Sequence, residues 1–102
     1  PDAEIAITIF TFCEFYYGIL EKNEKNKAKI LERLEQYTLL QTTPRSGLLF
    51  SEVLHQMLKK GLGIAQFDLF IATVTMEKGY TLLTLDSDFK RVPGLKKVVL
   101  EL

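Results

Sequence analysis

Four short apolar stretches of the chain have the pattern of buried strands. The first, IAITIF at residues 5–10, is continuously apolar and rich in β-branched side chains, and YTLLTL at residues 80–85 is similar. Strands covered on both faces of a parallel sheet have such continuous apolar runs. Shorter candidates are TLLQT at residues 38–42 and KKVVLEL at residues 96–102. The pattern therefore predicts strands of a parallel sheet.

Two helices are predicted between the first strand and the second. Thr11 is a candidate cap for a helix that runs to about Leu20. The polar segment that follows, residues 21–37, carries its apolar residues in one stripe, which is typical of a helix on the surface.

Two further helices have clear start and stop signals. Thr43 followed by Pro44 predicts a helix start, because proline suits the first helical position, and the KKG sequence at residues 59–61 supplies the stop. Asp68 is a candidate cap for the next helix, which Gly79 closes.

The alternation of strands and helices predicts an α/β fold. Repeated βα units build three layers, α/β/α, around a central parallel sheet. A length of 102 residues with 47% apolar content is enough for one core, so residues 1–102 are expected to form a single domain.

Charge and cysteine content narrow the possible function classes. Thirteen basic and thirteen acidic side chains cancel, so no global positive field attracts the protein to nucleic acid or membrane. The longest apolar run contains Glu14 and is shorter than a spanning helix requires, which argues against membrane insertion. The lone Cys13 forms no internal disulfide, and a reducing cytoplasm is expected.

Carboxylates are predicted to gather at one edge of the sheet. Each helix that follows a strand starts where parallel strands have their C-terminal ends. Glu14, Asp68 and Asp86 all fall at that edge, which is where open α/β sheets bind ligands, and Asp88 follows closely. Converging carboxylates repel each other unless cations neutralise them, and oxygen ligands favour Mg²⁺ or Mn²⁺. The predicted chemistry is metal-assisted attack of water on a phosphodiester.

Each of these acids also has a structural interpretation. Thr11 and Glu14 fit a capping box, and Asp68 alone fits an ordinary N-cap. Asp86 and Asp88 also fit turn residues that hold their own backbone amides. Their joint placement at one edge favours a site, although capping and metal binding are compatible.

Two longer segments resemble the motifs of PIN domains. TIFTFCEFYYGI is similar to the glutamate-bearing motif of that family, and GLGIAQFDLFIATVTMEKGYTLLTLDSDFKRVPGL is similar to its second half. Within the family, the chain looks most like the VapC-type toxins of toxin–antitoxin pairs. The resemblance implies an endoribonuclease that uses Mg²⁺ or Mn²⁺, forms a homodimer and is inhibited by a cognate antitoxin protein.

The family pattern also implies roles for individual residues. Glu14, Asp68 and Asp86 match its catalytic acids, and Asp68, Asp86 and Asp88 are the implied metal ligands. Thr84 matches a small hydroxyl residue beside them.

One family feature is missing before the glutamate motif. PIN domains begin with a strand that ends in an aspartate and is followed by helices, but only thirteen residues precede Glu14 here. The chain is therefore expected to be N-terminally incomplete, and the native protein is expected to carry roughly 35 further residues.

Three functions remain open from the sequence. The leading hypothesis is a metal-dependent toxin ribonuclease. The alternative is a truncated or catalytically silent PIN-like module that binds a partner protein or RNA. A phosphoacceptor receiver or a phosphatase fits less well, because a receiver needs a lysine after a late strand and none ends the strand at residues 80–85.

Overall fold

The structure, a computed structural model, describes residues 5–22 and 25–100. These residues divide into two compact units with the boundary after Gln41. Each unit pairs two strands in parallel and contains helices, which confirms the predicted α/β class. Among the helices of these residues, none is long and apolar enough to cross a membrane.

The first unit contains two strands and two helices. Its elements are β1 (Ala6–Thr8), α1 (Ile9–Glu21), α2 (Lys27–Leu34) and β2 (Thr38–Leu40). Strands β1 and β2 are parallel, and Ile7 lies opposite Leu39.

The start of α1 differs from the prediction. Ile9 and Phe10 were assigned to the strand but form the first turn of α1, and Thr8 is the N-cap. The Thr8 hydroxyl oxygen accepts a hydrogen bond from the Thr11 amide at 3.1 Å. Thr11 therefore does not cap the helix, and the predicted Thr11–Glu14 capping box is wrong. The physical reason is that the pairing with β2 ends at Thr8, so the residues after it are free to form a helix.

The second unit contains two longer helices followed by two strands. Its elements are α3 (Pro44–Lys59), α4 (Gln66–Glu77), β3 (Leu82–Thr84), a 3₁₀ turn (Ser87–Arg91) and β4 (Lys97–Val99). Strands β3 and β4 are parallel, and Leu83 lies opposite Val98. Residues 101–102, which the last predicted strand included, lie outside the described residues.

The predicted limits of α3 are confirmed, while those of α4 are confirmed only at its end. Thr43 caps α3, with Pro44 in the first turn. Gly79 ends α4 with a φ of +76°, a conformation that glycine adopts without a steric cost. Helix α4 begins at Gln66, however, and Asp68 lies inside its first turn and does not cap it. The N-cap is Ala65, whose side chain has no acceptor to offer.

Helix α4 is the central element of the second unit. Half of its residues are buried, including two threonines. The Thr73 and Thr75 hydroxyls donate to the carbonyls of Leu69 and Ile71 one turn earlier, at 3.0 and 2.6 Å. Both hydroxyl groups thus have hydrogen-bond partners within α4 itself. The helix can therefore pack against α3 without burying an unpaired hydroxyl at these two positions.

Candidate active site

The C-terminal end of β3 is organised by side chains that hold the backbone after it. The Thr84 hydroxyl oxygen accepts a hydrogen bond from the Asp86 amide at 3.1 Å. Oδ1 of Asp86 accepts in turn from the Asp88 amide at 2.9 Å, and Asp86 caps the 3₁₀ turn. Asp86 is therefore a turn residue as well as a candidate ligand, which confirms for this residue the structural role that its sequence allows.

Asp68 shares its electrostatic environment with this turn. It is half-buried in the first turn of α4. Partial burial raises the pKa of the Asp68 carboxyl group, and the negative charges of Asp86 and Asp88 raise it further. The second unit therefore brings together the three aspartates that the sequence placed at one edge, close enough for their charges to interact.

Arg91 connects the two segments that carry these aspartates. Its Nη2 forms an ion pair with Oδ1 of Asp88 at 3.1 Å, and its Nη1 donates to the carbonyl oxygen of Gly63 at 2.8 Å. Gly63 belongs to the loop that leads into α4. Sequence reasoning did not single out this double contact, because Arg91 and Gly63 are 28 residues apart and no local pattern indicates their contact.

Glu14 belongs to the first unit. It is an exposed residue in the second turn of α1, because the helix begins at Ile9. Its catalytic role stays a prediction.

The donor set of the three aspartates suits a hard divalent cation. Asp68, Asp86 and Asp88 offer carboxylate oxygens, the ligands that Mg²⁺ and Mn²⁺ prefer. Burial contributes most to the raised pKa of Asp68, and the negative charges of Asp86 and Asp88 add to it; a bound cation would offset that repulsion. Within neither unit, however, do the described residues bring three His, Cys, Asp or Glu side chains into an arrangement ready to hold an ion. The residues therefore fit such a cation by chemistry, and binding requires the carboxylates to draw closer.

A second polar cluster lies at the other end of α4, around the single carboxylate of Glu77. Glu77 accepts a hydrogen bond from the Thr43 hydroxyl at 2.7 Å and another from the Ser46 hydroxyl. Hydrogen bonds from Ser46 and Thr43 lower the pKa of Glu77, and the charges of Lys78 and Arg45 lower it further, while burial opposes them.

The sequence predicts only the local part of this cluster. Ser46 also accepts from the Thr43 amide at 2.8 Å, so a reciprocal capping box begins α3. Its spacing is visible in the sequence, whereas the contact with Glu77, 31 residues away from Ser46, is not. An open cavity of about 630 Å³ adjoins this cluster and is lined in part by Arg45, Glu52, Tyr80 and Lys96.

Comparisons with known proteins give consistent matches. The family model described as "PIN domain" matches residues 2–95. Ribonuclease VapC2 of Rickettsia felis is 30% identical over 94 residues, which span 89% of this chain and 70% of that protein. Ribonuclease VapC1 of the same organism is 30% identical over 96 residues, spanning 88% and 72%.

A solved structure is also similar. The crystal structure of VapBC2 from Rickettsia felis bound to a DNA fragment from their promoter contains a chain that is 28% identical, with a TM-score of 0.85. The match spans 96% of this chain and 76% of that one.

Proposed function

Because the chain belongs to the PIN domain family, as its motifs predict, we propose that it is a metal-dependent endoribonuclease and the toxin of a toxin–antitoxin pair. The 30% identity to a protein named Ribonuclease VapC2, over most of this chain, supports the reaction class. The observation that carries the proposal is the placement of a partly buried Asp68 beside Asp86 and Asp88: burial raises the pKa of Asp68, and the negative charges of Asp86 and Asp88 raise it further.

The proposed roles combine the placement of the side chains of the second unit with the family pattern. Asp68, Asp86 and Asp88 would hold Mg²⁺ or Mn²⁺, and Glu14 is assigned a catalytic role by the family pattern. When bound, the cation lowers the pKa of a water molecule and offsets charge that develops on the phosphate. Thr84 supports the site because its hydroxyl oxygen fixes the Asp86 amide and so the direction in which the turn leaves β3.

The proposed partners are RNA as substrate and a cognate antitoxin protein as inhibitor. The antitoxin is supported by the similar solved structure, which is a VapBC2 assembly. We also propose a homodimer in the cytoplasm. Light scattering tests the dimer, because a mass that remains at that of one chain would contradict it.

The test compares RNA cleavage by the parent and by Asp86→Asn. Asparagine keeps an oxygen that accepts from the Asp88 amide, so the turn is retained while one anionic ligand is lost. We expect cleavage only with Mg²⁺ or Mn²⁺, and a rate for Asp86→Asn that is lower by about 100-fold or more.

Glu52→Gln is the matched control. It also removes one carboxylate from the second unit, but from the cavity at the other end of α4. It should cleave like the parent. Equal cleavage by the parent and Asp86→Asn would mean that the acidic cluster is not responsible.

A catalytically silent module that binds a partner protein or RNA is the second candidate. It is favoured by the absence, within either described unit, of three side chains already arranged around an ion position. Calorimetry with Mn²⁺ separates the two candidates. If the protein is the enzyme, it should bind Mn²⁺ in a way that depends on Asp68 and Asp86. If it is a silent module, no such binding should be measured.

A further inference from the structure

The guanidinium group of Arg91 contacts both segments that carry the candidate metal ligands. One nitrogen pairs with the carboxylate of Asp88 at 3.1 Å, and another donates to the carbonyl oxygen of Gly63 at 2.8 Å. The first contact lies within the 3₁₀ turn that follows Asp86. The second reaches the loop that precedes Asp68.

The start of α4 receives no hydrogen bond from a capping side chain. The N-cap Ala65 offers no side-chain acceptor to the first helical amides. Gly61, at the other end of the loop, has a φ of +69° and ends the preceding helix. The contact from Arg91 therefore ties the entrance of α4, and with it Asp68, to the turn that carries Asp86 and Asp88.

We propose that Arg91 is a positioning residue, which limits the separation between Asp68 and the pair Asp86 and Asp88 so that the three can close around a divalent cation. This inference rests on the proposed function. The planar fork of arginine suits the role, because it offers several donors in fixed directions, whereas lysine carries a single point charge.

The sign of the effect separates this role from simple electrostatics. A cation near a metal site repels the incoming ion, so removing a surface cation should leave Mn²⁺ affinity unchanged or increase it. Removing a side chain that positions the ligands should decrease the affinity instead. Residues that orient metal ligands typically change affinity by about 10- to 100-fold when mutated.

The experiment measures Mn²⁺ affinity by calorimetry for the parent, Arg91→Gln, Arg91→Lys and Lys60→Gln. Lys60 is the exposed C-cap residue of α3 and precedes the same loop. Its replacement therefore removes an equal charge. We expect both Arg91 variants to bind Mn²⁺ about tenfold more weakly. Lys60→Gln should bind as the parent does, or more tightly.

Two further readouts exclude a general loss of structure. The melting temperature without metal should stay within about 5 °C of the parent, because an exposed ion pair contributes little to stability. The electron paramagnetic resonance spectrum of bound Mn²⁺ should change in both Arg91 variants at saturation, because the ligand geometry differs.

The outcomes distinguish this inference from the proposed function. Affinity for Arg91→Gln equal to or above that of the parent overturns the positioning role alone, and so does full affinity in Arg91→Lys. A parent without Mn²⁺ binding that depends on Asp68 overturns the proposed function first, and this inference with it.

Discussion

The two ends of α4 place carboxylates in opposite environments. Asp68, in the first turn, is partly buried, which raises its pKa, and the negative charges of Asp86 and Asp88 raise it further. Glu77, in the last turn, accepts hydrogen bonds from Ser46 and Thr43, and its pKa is lowered. One helix thus carries a carboxylate whose charge is stabilised within the unit and another whose charge is not. The two carboxylates differ in their partners: Glu77 has hydroxyl donors that stabilise its charge, whereas Asp68 is partly buried beside other carboxylates.

The largest expected difference between the two ends of α4 is their effect on stability when a cation binds. At a Mn²⁺ concentration of 100 times the dissociation constant, the free energy of unfolding of the parent should rise by about 2.7 kcal/mol. Asp68→Asn should lose this gain, because it removes an anionic ligand, and Glu77→Gln should keep it. Urea titrations with and without Mn²⁺ measure both. An equal gain in the two variants would show that the ends of α4 do not differ in this respect.

Glu77→Gln should have the next largest effect, on the metal-free protein. We expect the free energy of unfolding to fall by about 1 to 2 kcal/mol, because charge-assisted hydrogen bonds to Ser46 and Thr43 become neutral ones. The folded pKa of Glu77 lies below its ordinary value of 4.5, so its contribution is complete above pH 4.5 and is lost as the pH falls through the folded pKa.

Urea titrations at several pH values check this prediction. The gap between Glu77→Gln and the parent should narrow in acid, while Glu52→Gln, an exposed control, should stay within about 0.5 kcal/mol throughout. A gap that widens in acid would contradict the assigned pKa direction.

Asp68→Asn should have the smallest effect on the metal-free protein, and in the opposite direction. We expect a gain of about 0.5 kcal/mol at neutral pH, since the substitution removes a charge that partial burial and then the repulsion from Asp86 and Asp88 disfavour, while the lost attraction to the start of α4 opposes it. The folded pKa of Asp68 lies above its ordinary value of 3.8. The cost of its charge is therefore absent well below pH 3.8, grows as the pH rises from that value, and is complete above the folded pKa. Thermal unfolding at pH 3 and pH 7 measures the change, and a destabilised variant at pH 7 would refute it.

Local signals in the sequence predicted part of the fold. The limits of α3 were predicted because Thr43, Pro44 and the KKG stop act within a few residues of where they stand. The start of α1 was not, because a continuous apolar run does not distinguish a strand from a buried helix and two threonines compete as caps. Strand β1 ends where its pairing with β2 ends. The position of that end depends on residues about 30 positions later in the chain, which a local pattern does not contain.

The candidate site divides in the same way. Asp68, Asp86 and Asp88 were brought together by topology alone, because the ends of parallel strands and the starts of the following helices share an edge. The contacts of Arg91 with Gly63 and of Glu77 with Ser46 were missed, since each joins residues about 30 positions apart. Neither composition nor residue spacing predicts a contact between side chains and groups that are so far apart in the sequence.

The buried middle of α4 has a consequence for how the protein opens. Thr73 and Thr75 bond within the helix, and the residues around them are sealed from solvent, so their amides should exchange with deuterium only when the whole second unit unfolds. Until then the helix is expected to stay intact, with Asp68 and Glu77 about 14 Å apart along its axis. We therefore expect a ligand bound by Asp68 to move the turn at the end of β3 toward α4, and not to bend the buried helix.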